Sequence, residues 1–155
     1  MTKRLLHNAQ VIDPDAGTIS RADIRIENGM ITQVSQSPLS ANPNEHTVDC
    51  HGKYLAPGII DIGVKVCEPG ERHKESFKSA GLAAAAGGIT TMVTRPDTTP
   101  AIDSPETLEF IARRANQATP VNVIPMAALT KGRNGREMSE IGFLIDAGAI
   151  AFTDC

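Results

Sequence analysis

Hydrophobic and polar residues alternate loosely through the first third of the chain, a pattern typical of β-strands. The alternation runs over residues 4–11 and 22–26, with turn residues between the two segments. Asn28-Gly29 separates two further alternating segments, and this pair tolerates the positive φ angles of a tight hairpin turn. Residues 35–46 are polar and contain two prolines, which predicts a loop. We therefore predict a small β unit over residues 1–55, a meander or β-sandwich-type unit.

The pattern changes after Pro57-Gly58. Short apolar or β-branched segments then begin at Ile59, Ile89, Val121 and Ala149. Between them the sequence predicts three helices, over Lys74–Ala86, from Ser104-Pro105 onward, and from Arg136 or Glu137 to Ala147. Strands and helices that alternate at this spacing predict β/α units on a parallel sheet. We expect an α/β fold over residues 56–155, the N-terminal part of a (β/α)8 TIM-type barrel with about four β/α units.

The segment Ile59–Val66 alternates with period two, so its side chains divide between two faces. We expect the apolar face to pack on the helices, with Ile60, Ile62, Val64 and Val66. The other face then points into the barrel interior or its mouth, with Asp61, Gly63, Lys65 and Cys67. Barrels of this type keep their chemistry at the carboxyl ends of the strands. Three other predicted strand ends fall at the same level, at Arg95-Pro96-Asp97, Met126 and Thr153-Asp154-Cys155.

Composition narrows the function classes. The chain has 155 residues, with Lys+Arg 15 against Asp+Glu 18, a formal net charge of −3 and few aromatic residues. This balance argues against nucleic-acid binding, which uses a basic face and stacking aromatics. No apolar stretch is long enough to span a membrane, and the first residues lack the apolar segment of a secretory signal. Three widely spaced cysteines favour a reducing compartment, so we expect a cytoplasmic protein.

Several distinctive motifs follow residue 54. They are Leu55-Ala56-Pro57-Gly58-Ile59-Ile60-Asp61, Glu68-Pro69-Gly70, His73-Lys74-Glu75, Ala83–Thr91, Pro96-Asp97-Thr98, Thr130-Lys131-Gly132 and Gly148–Asp154. Together these motifs resemble the dihydroorotase family of the amidohydrolase superfamily. The resemblance covers essentially the whole chain and implies an amidohydrolase barrel preceded by a small β unit. It also implies a cyclic amidohydrolase of pyrimidine biosynthesis. Such enzymes interconvert carbamoyl aspartate and dihydroorotate with one or two metal ions, usually zinc, that activate water.

The family's metal-binding pair does not match. The family has His-x-His directly after the Asp of the first strand, and here those positions are Gly63 and Lys65. Glycine offers no ligand, and a lysine ammonium has three donors and no acceptor. At about 4 Å and an effective dielectric near 20, its repulsion of a dication is on the order of 8 kcal/mol. We therefore expect no bound metal.

The family's substrate contacts are also changed. An arginine that grips the substrate carboxylate in the family is replaced by Cys67. The family's Asn corresponds to Asp97 in Arg95-Pro96-Asp97-Thr98, and an acid at this position repels an anionic substrate. Lys65 and Arg95 leave a further hypothesis open, an anion-binding module.

Asp154 is the retained candidate for a metal ligand. The family supplies a metal-bridging carboxylate at the end of this strand. We predict instead that Lys65 takes the place of the cation and pairs with Asp154. An alternative zinc site of sulfur, imidazole and carboxylate ligands stays open, with Cys67, His73, Asp154 and Cys155.

The resemblance therefore leads to two functional hypotheses. The first is a non-catalytic, dihydroorotase-like protein that acts as a scaffold for aspartate carbamoyltransferase, within a homo- or hetero-oligomer. The second is an active dihydroorotase or related cyclic amidohydrolase with an altered metal site. A complete barrel takes about 250 residues. We therefore expect the chain to be the N-terminal part of a longer protein, truncated at the fourth strand and prone to self-association if it exists alone.

Overall fold

A computed structural model describes residues 2–155, and the chain divides into two compact units between Pro57 and Gly58. The sequence places this boundary between residues 55 and 56. Within the described range, no helix is both long and apolar enough to cross a membrane.

The first unit is one five-stranded sheet. Its strands are β1 (Lys3–Asp13), β2 (Thr18–Glu27), β3 (Met30–Ser35), β4 (His46–Asp49) and β5 (Tyr54–Leu55). The order is β3-β2-β1-β4, and β5 also pairs with β1. β2 is antiparallel to β1 and β3, whereas β4 and β5 run parallel to β1. The predicted meander or sandwich is therefore wrong in its connections, because the chain returns twice to the same edge of β1.

A bulge in β1 makes this double return possible. The pairing with β2 shifts between Leu6 and Ala9, and Asn8 has a φ of 61°. β1 therefore pairs with β4 before the bulge and with β5 after it. The predicted hairpin is confirmed, since Asn28 and Gly29 have φ angles of 52° and 82°.

The second unit alternates strands and helices, as the sequence predicts. Its elements are β6 (Ile59–Val64), α1 (Phe77–Ala86), β7 (Ile89–Thr94), α2 (Pro105–Ala118), β8 (Asn122–Pro125) and α3 (Ile141–Asp146). The three strands are parallel in the order β6-β7-β8. The fourth predicted strand is present only as one parallel bridge, Ala127 with Phe152, flanked by backbone hydrogen bonds.

The helix ends show which local signals were informative. Ser104 caps α2 by accepting from the Thr107 amide, and Pro105 is the first helical residue, as predicted. α1 begins at Phe77 and not at Lys74, because Ser76 and Ser79 cap each other reciprocally.

The predicted start of the third helix, near residue 136, is wrong. The segment just before the predicted start is a short 3-10 turn over Lys131–Arg133, with positive φ angles at Gly132, Arg133 and Gly135. The Lys131 amide donates to the Glu137 carbonyl, and Thr130 pairs with Met138. Residues 131–140 therefore fold as a closed loop, and only six residues form α3.

The core of the second unit lies between the sheet and its helices. Its largest buried side chains come from both layers: Val66, Phe77, Met92, Ile102, Leu108, Ile111 and Leu144. Val64 packs against this core, as predicted for its face.

The predicted face is wrong for the first half of β6. Ile60 and Ile62 are 62% and 72% exposed. The cause is a bulge at Gly63, where β6 has one residue more than β7 between consecutive pairs. A shift by one residue moves side chains to the opposite face. Ile62 is therefore level with Val93, outside the core cluster, and not on the face of Val64.

Candidate functional site

The predicted site residues lie at the carboxyl ends of the parallel strands. Lys65 and Cys67 follow β6, and Arg95 and Asp97 follow β7. The Arg95 amide donates to the Val64 carbonyl at 2.9 Å, which holds these two strand ends at the same level. The next strand joins in the same way, through a 2.8 Å hydrogen bond from the Met126 amide to the Thr94 carbonyl. The expectation that these strand ends share one edge is confirmed.

An ion triad joins the ends of β6 and β7. The Lys65 ammonium lies 3.1 Å from Oδ2 of Asp97, and Nη2 of Arg95 donates to the same oxygen at 2.8 Å. The Asp97 side chain is only 5% exposed, whereas those of Lys65 and Arg95 are 49% and 32% exposed. Oδ1 of Asp97 and Nε of Arg95 are buried and accept or donate no hydrogen bond among the described residues. The triad therefore buries one carboxylate beneath two partly solvated cations.

The predicted pairing of Lys65 with Asp154 is wrong, because Lys65 pairs with Asp97 and no ion pair joins Lys65 to Asp154 in the described part of the chain. Asp154 is held by Thr130 instead. Its Oδ1 accepts from the Thr130 amide at 3.0 Å, and its Oδ2 accepts from the Thr130 hydroxyl at 2.7 Å. These two hydrogen bonds, with a smaller contribution from nearby Arg133, lower the pKa of Asp154. The carboxylate is therefore ionised at neutral pH, and each of its oxygens already accepts a hydrogen bond.

Thr130 organises the loop around Asp154. Its hydroxyl donates to Asp154 and accepts from the Gly135 amide at 2.9 Å. Arg133 adds a 3.3 Å contact from Nη2 to the Asp154 carbonyl. The sequence indicates Thr130 only as part of the motif Thr130-Lys131-Gly132. Its role depends on a contact 24 residues along the chain, which no local pattern indicates.

Glu68 is a second buried carboxylate near the end of β6. Its Oε2 accepts from the Phe77 amide at 2.9 Å, and its Oε1 accepts from Nε of Arg114 at 2.9 Å. Burial on its own raises the pKa of Glu68, but these hydrogen bonds and the charges of Arg114 and Arg72 outweigh it and leave the pKa lowered. Glu68 thus ties the loop after β6 to α1 and α2.

The structure gives Arg114 a role that the sequence does not predict. The Arg113-Arg114 pair is most simply interpreted as a solvated helix face, yet Arg114 reaches a carboxylate 46 residues away. Its position beside the buried Ala115 and three residues after the buried Ile111 was the available signal, because it borders the apolar face of α2.

Gly63, which the resemblance relates to the first of the two family imidazole positions, has a left-handed backbone. Its φ is +93°, a conformation that residues with a side chain rarely adopt, and it forms the bulge in β6. A Cβ built on Gly63 meets no atom within 4 Å. The glycine is therefore required by backbone conformation and not by lack of space.

These residues do not fit a metal ion. Gly63 has no side chain, and Lys65 offers three donors to its surroundings and no lone pair. Both oxygens of Asp154 accept hydrogen bonds from Thr130. Residues 2–155 contain no group of three or more His, Cys, Asp or Glu side chains placed to hold a metal, and the alternative zinc site on Cys67 is therefore not assembled here.

Solved structures place the fold in a known class. The chain is similar to the L-hydantoinase (dihydropyrimidinase) from Arthrobacter aurescens, with a TM-score of 0.84 and 24% identity, covering 98% of this chain and 32% of that one. It is also similar to the D-hydantoinase (dihydropyrimidinase) from a Thermus species, with a TM-score of 0.69 and 26% identity, covering 92% and 30% of the two chains. The architecture is thus the mixed α/β arrangement of the N-terminal part of these amidohydrolases.

Sequence comparison then defines the family. The family model described as dihydro-orotase-like matches residues 52–155, so the chain belongs to the dihydroorotase-like family. The dihydroorotase of Geobacillus thermodenitrificans is 41% identical over 138 residues, 89% of this chain and 32% of the relative. That of Aquifex aeolicus is 36% identical over 154 residues, 99% and 36% of the two chains. The chain therefore spans about a third of the length of these curated relatives.

Proposed function

We propose that this chain belongs to a non-catalytic dihydroorotase-like protein of pyrimidine biosynthesis that acts as a scaffold for aspartate carbamoyltransferase in the cytoplasm. On this proposal the parallel sheet is the first part of a (β/α)8 barrel. The observation that carries it is the pair Gly63 and Lys65, because the family places its two metal-binding imidazoles at these positions. In place of a metal-binding nitrogen, Lys65 presents an ammonium engaged with Asp97.

The loss of catalysis follows from the chemistry that ring opening requires. Hydrolysis of a cyclic amide at neutral pH depends in this family on a metal ion that activates water and polarises the carbonyl. No side chain at the ends of β6 and β7 replaces that function, since Lys65 and Arg95 are cations and Asp97 is held between them. Cys67 cannot form the two parallel hydrogen bonds with which arginine binds a carboxylate.

A scaffold needs a folded surface and no active centre. The contacts that support the surroundings of the strand ends are in place, notably the buried Glu68 with Arg114 and the Thr130–Asp154 pair. The outer helices carry exposed aromatic side chains, with Phe143 65% and Phe110 47% exposed. On this proposal these side chains are available for contact with a partner.

The second candidate is an active cyclic amidohydrolase with an altered metal site. Two observations favour it: curated relatives of 35–41% identity are named dihydroorotase, and Asp154 keeps an ionised carboxylate at the expected strand end. On this alternative the remaining ligands come from the two thirds of the relatives' length that this chain does not span.

An anion-binding module is a weaker alternative. Lys65 is half exposed and Arg95 about one third exposed, so solvent reaches both cations. Asp97 already neutralises part of their charge, which disfavours an anion. A rise in thermal midpoint with carbamoyl aspartate or phosphate that is lost in Lys65→Met would favour the module.

Two measurements separate the first two candidates. Turnover of dihydroorotate and of carbamoyl aspartate is expected to be absent, and measurable ring opening would overturn the non-catalytic proposal. Co-sedimentation with aspartate carbamoyltransferase is expected to give one complex. If the two proteins sediment separately, the partner is wrong whatever the outcome of the turnover assay.

A further inference from the structure

We infer that both the backbone and the side chains at the end of β6 favour an ion triad over a metal site. Replacing Gly63 and Lys65 with two histidines alone therefore does not restore a metal site. The triad is Lys65, Asp97 and Arg95. This inference concerns the architecture of the strand end and holds whether or not the protein is a scaffold.

The backbone argument begins with the spacing that a His-x-His pair needs. Two side chains bind one ion from positions i and i+2 because a regular strand presents them on the same face. In this chain the bulge at Gly63 interrupts that period between Ile62 and Val64. Residues 63 and 65 therefore do not belong to one regular strand face, and two imidazoles there would not converge as they do in a regular strand.

The conformation of Gly63 adds a second barrier. Any residue with a side chain at φ +93° is strained, even though the space beside Gly63 is open. An imidazole at this position therefore either strains the bulge or forces the strand to a new register. The second outcome would disturb Lys65, because it lies only two residues further along.

The third argument is electrostatic. Both cations of the triad approach Oδ2 of a carboxylate whose side chain is 5% exposed, so the group carries a net positive charge where the family carries a dication. Lys65 directly follows β6, and Arg95 and Asp97 follow β7, so the triad joins two strand ends, as a bridging cation would. If Lys65 is replaced, Arg95 still occupies Asp97 and still opposes an incoming metal ion.

The test is a zinc titration of three proteins: the wild type, Lys65→His and the double variant Gly63→His/Lys65→His. Zinc content after dialysis is measured by elemental analysis, and thermal midpoints are measured with and without zinc. We expect no stoichiometric zinc and no zinc-dependent rise in midpoint in any of the three. Stoichiometric zinc in the double variant, with a rise in its midpoint, would overturn the inference.

A matched control isolates the backbone. Gly142 also has open space around a Cβ but lies in α3 without a positive φ. We expect Gly63→Ala to lower the thermal midpoint by about 2–8 °C and Gly142→Ala to leave it unchanged or raise it. If Gly63→Ala is neutral, the bulge tolerates a side chain and the backbone argument is wrong.

The zinc titration of the three proteins also distinguishes this inference from the proposed function. Stoichiometric zinc in the wild type would overturn both the non-catalytic proposal and the inference. An empty wild type with a zinc-loaded double variant would overturn the inference alone. If Gly63→His/Lys65→His does not fold, Lys65→His and the alanine pair still decide the outcome.

Discussion

Two buried carboxylates lie close to the carboxyl ends of neighbouring strands, and they are satisfied in different ways. Glu68 accepts one hydrogen bond on each oxygen, from the Phe77 amide and from Arg114. Asp97 receives Lys65 and an Arg95 hydrogen bond on one oxygen and nothing on the other within residues 2–155. Both oxygens of Glu68 therefore accept a hydrogen bond, whereas in Asp97 one oxygen is shared by two cations and the other has no partner among the described residues.

The difference teaches which part of the family's architecture this chain keeps. Glu68 belongs to a Glu-Pro-Gly motif shared with the family, and its contacts join three elements. Lys65 and Asp97 form an ion pair with each other, and under the proposed function they stand where the family has its metal and substrate contacts. Substitutions at Glu68 and substitutions at Lys65 or Asp97 can therefore be compared as separate perturbations.

Removal of Glu68 is expected to have the largest effect. Glu68→Ala leaves the Phe77 amide and Arg114 without their acceptor, so we expect a loss of about 2–4 kcal/mol in the free energy of unfolding. Urea denaturation measures this loss. Glu68→Gln keeps the shape and an acceptor and should lose less; equal losses in the two variants would show that the charge of Glu68, and not its shape or a neutral acceptor, carries the contribution.

The same carboxylate predicts a pH dependence. The pKa of folded Glu68 lies below its ordinary value of 4.5, so its contribution is fully present above that value and is lost as the pH falls through the folded pKa. The free energy of unfolding of the wild type should therefore decrease below about pH 4.5, and Glu68→Gln should reduce the slope. An unchanged slope in the variant would assign the acid sensitivity to other carboxylates, of which Asp154 is the first to test.

Thr130 is expected to have an intermediate effect. Thr130→Val removes a hydroxyl that donates to Asp154 and accepts from Gly135, at nearly constant volume. We expect a loss of about 1–2 kcal/mol, measured by chemical denaturation. Thr130→Ser retains the hydroxyl and should restore most of the loss; failure to do so would assign the effect to packing.

The Lys65–Asp97 pair is expected to have the smallest effect on stability. Because Lys65 is half exposed, a double-mutant cycle of Lys65→Met and Asp97→Asn should give a coupling of about 0.5–1 kcal/mol. A coupling above this range would show that the triad is a major stabilising contact and would remove the contrast with Glu68.

The sequence predicts the order of elements well, because strands and helices differ in hydrophobic period and Ser104 and Asn28-Gly29 are strong local signals. It does not predict the bulge at Gly63, since a glycine inside an alternating strand looks the same with or without an inserted residue. For the same reason the predicted packing of Ile60 and Ile62 on the helices is wrong.

The candidate site was predicted in position but not in its pairing. Lys65 and Asp97 follow β6 and β7, which end at one edge of the sheet, as the strand pattern indicates, and Asp154 follows the single bridge of Phe152 with Ala127. Which carboxylate Lys65 meets depends on side-chain geometry between strands. Lys65 meets Asp97, whereas Asp154 accepts hydrogen bonds from Thr130, a residue distant in sequence.

The zinc content of the purified wild-type protein tests the central claim most directly. The claim is that an ion triad stands at the strand ends where the family has a metal. Elemental analysis after purification without chelators, followed by dialysis against excess zinc and then buffer, should give no stoichiometric zinc. One or more zinc ions per chain, lost together with measurable dihydroorotate turnover on chelation, would contradict the account.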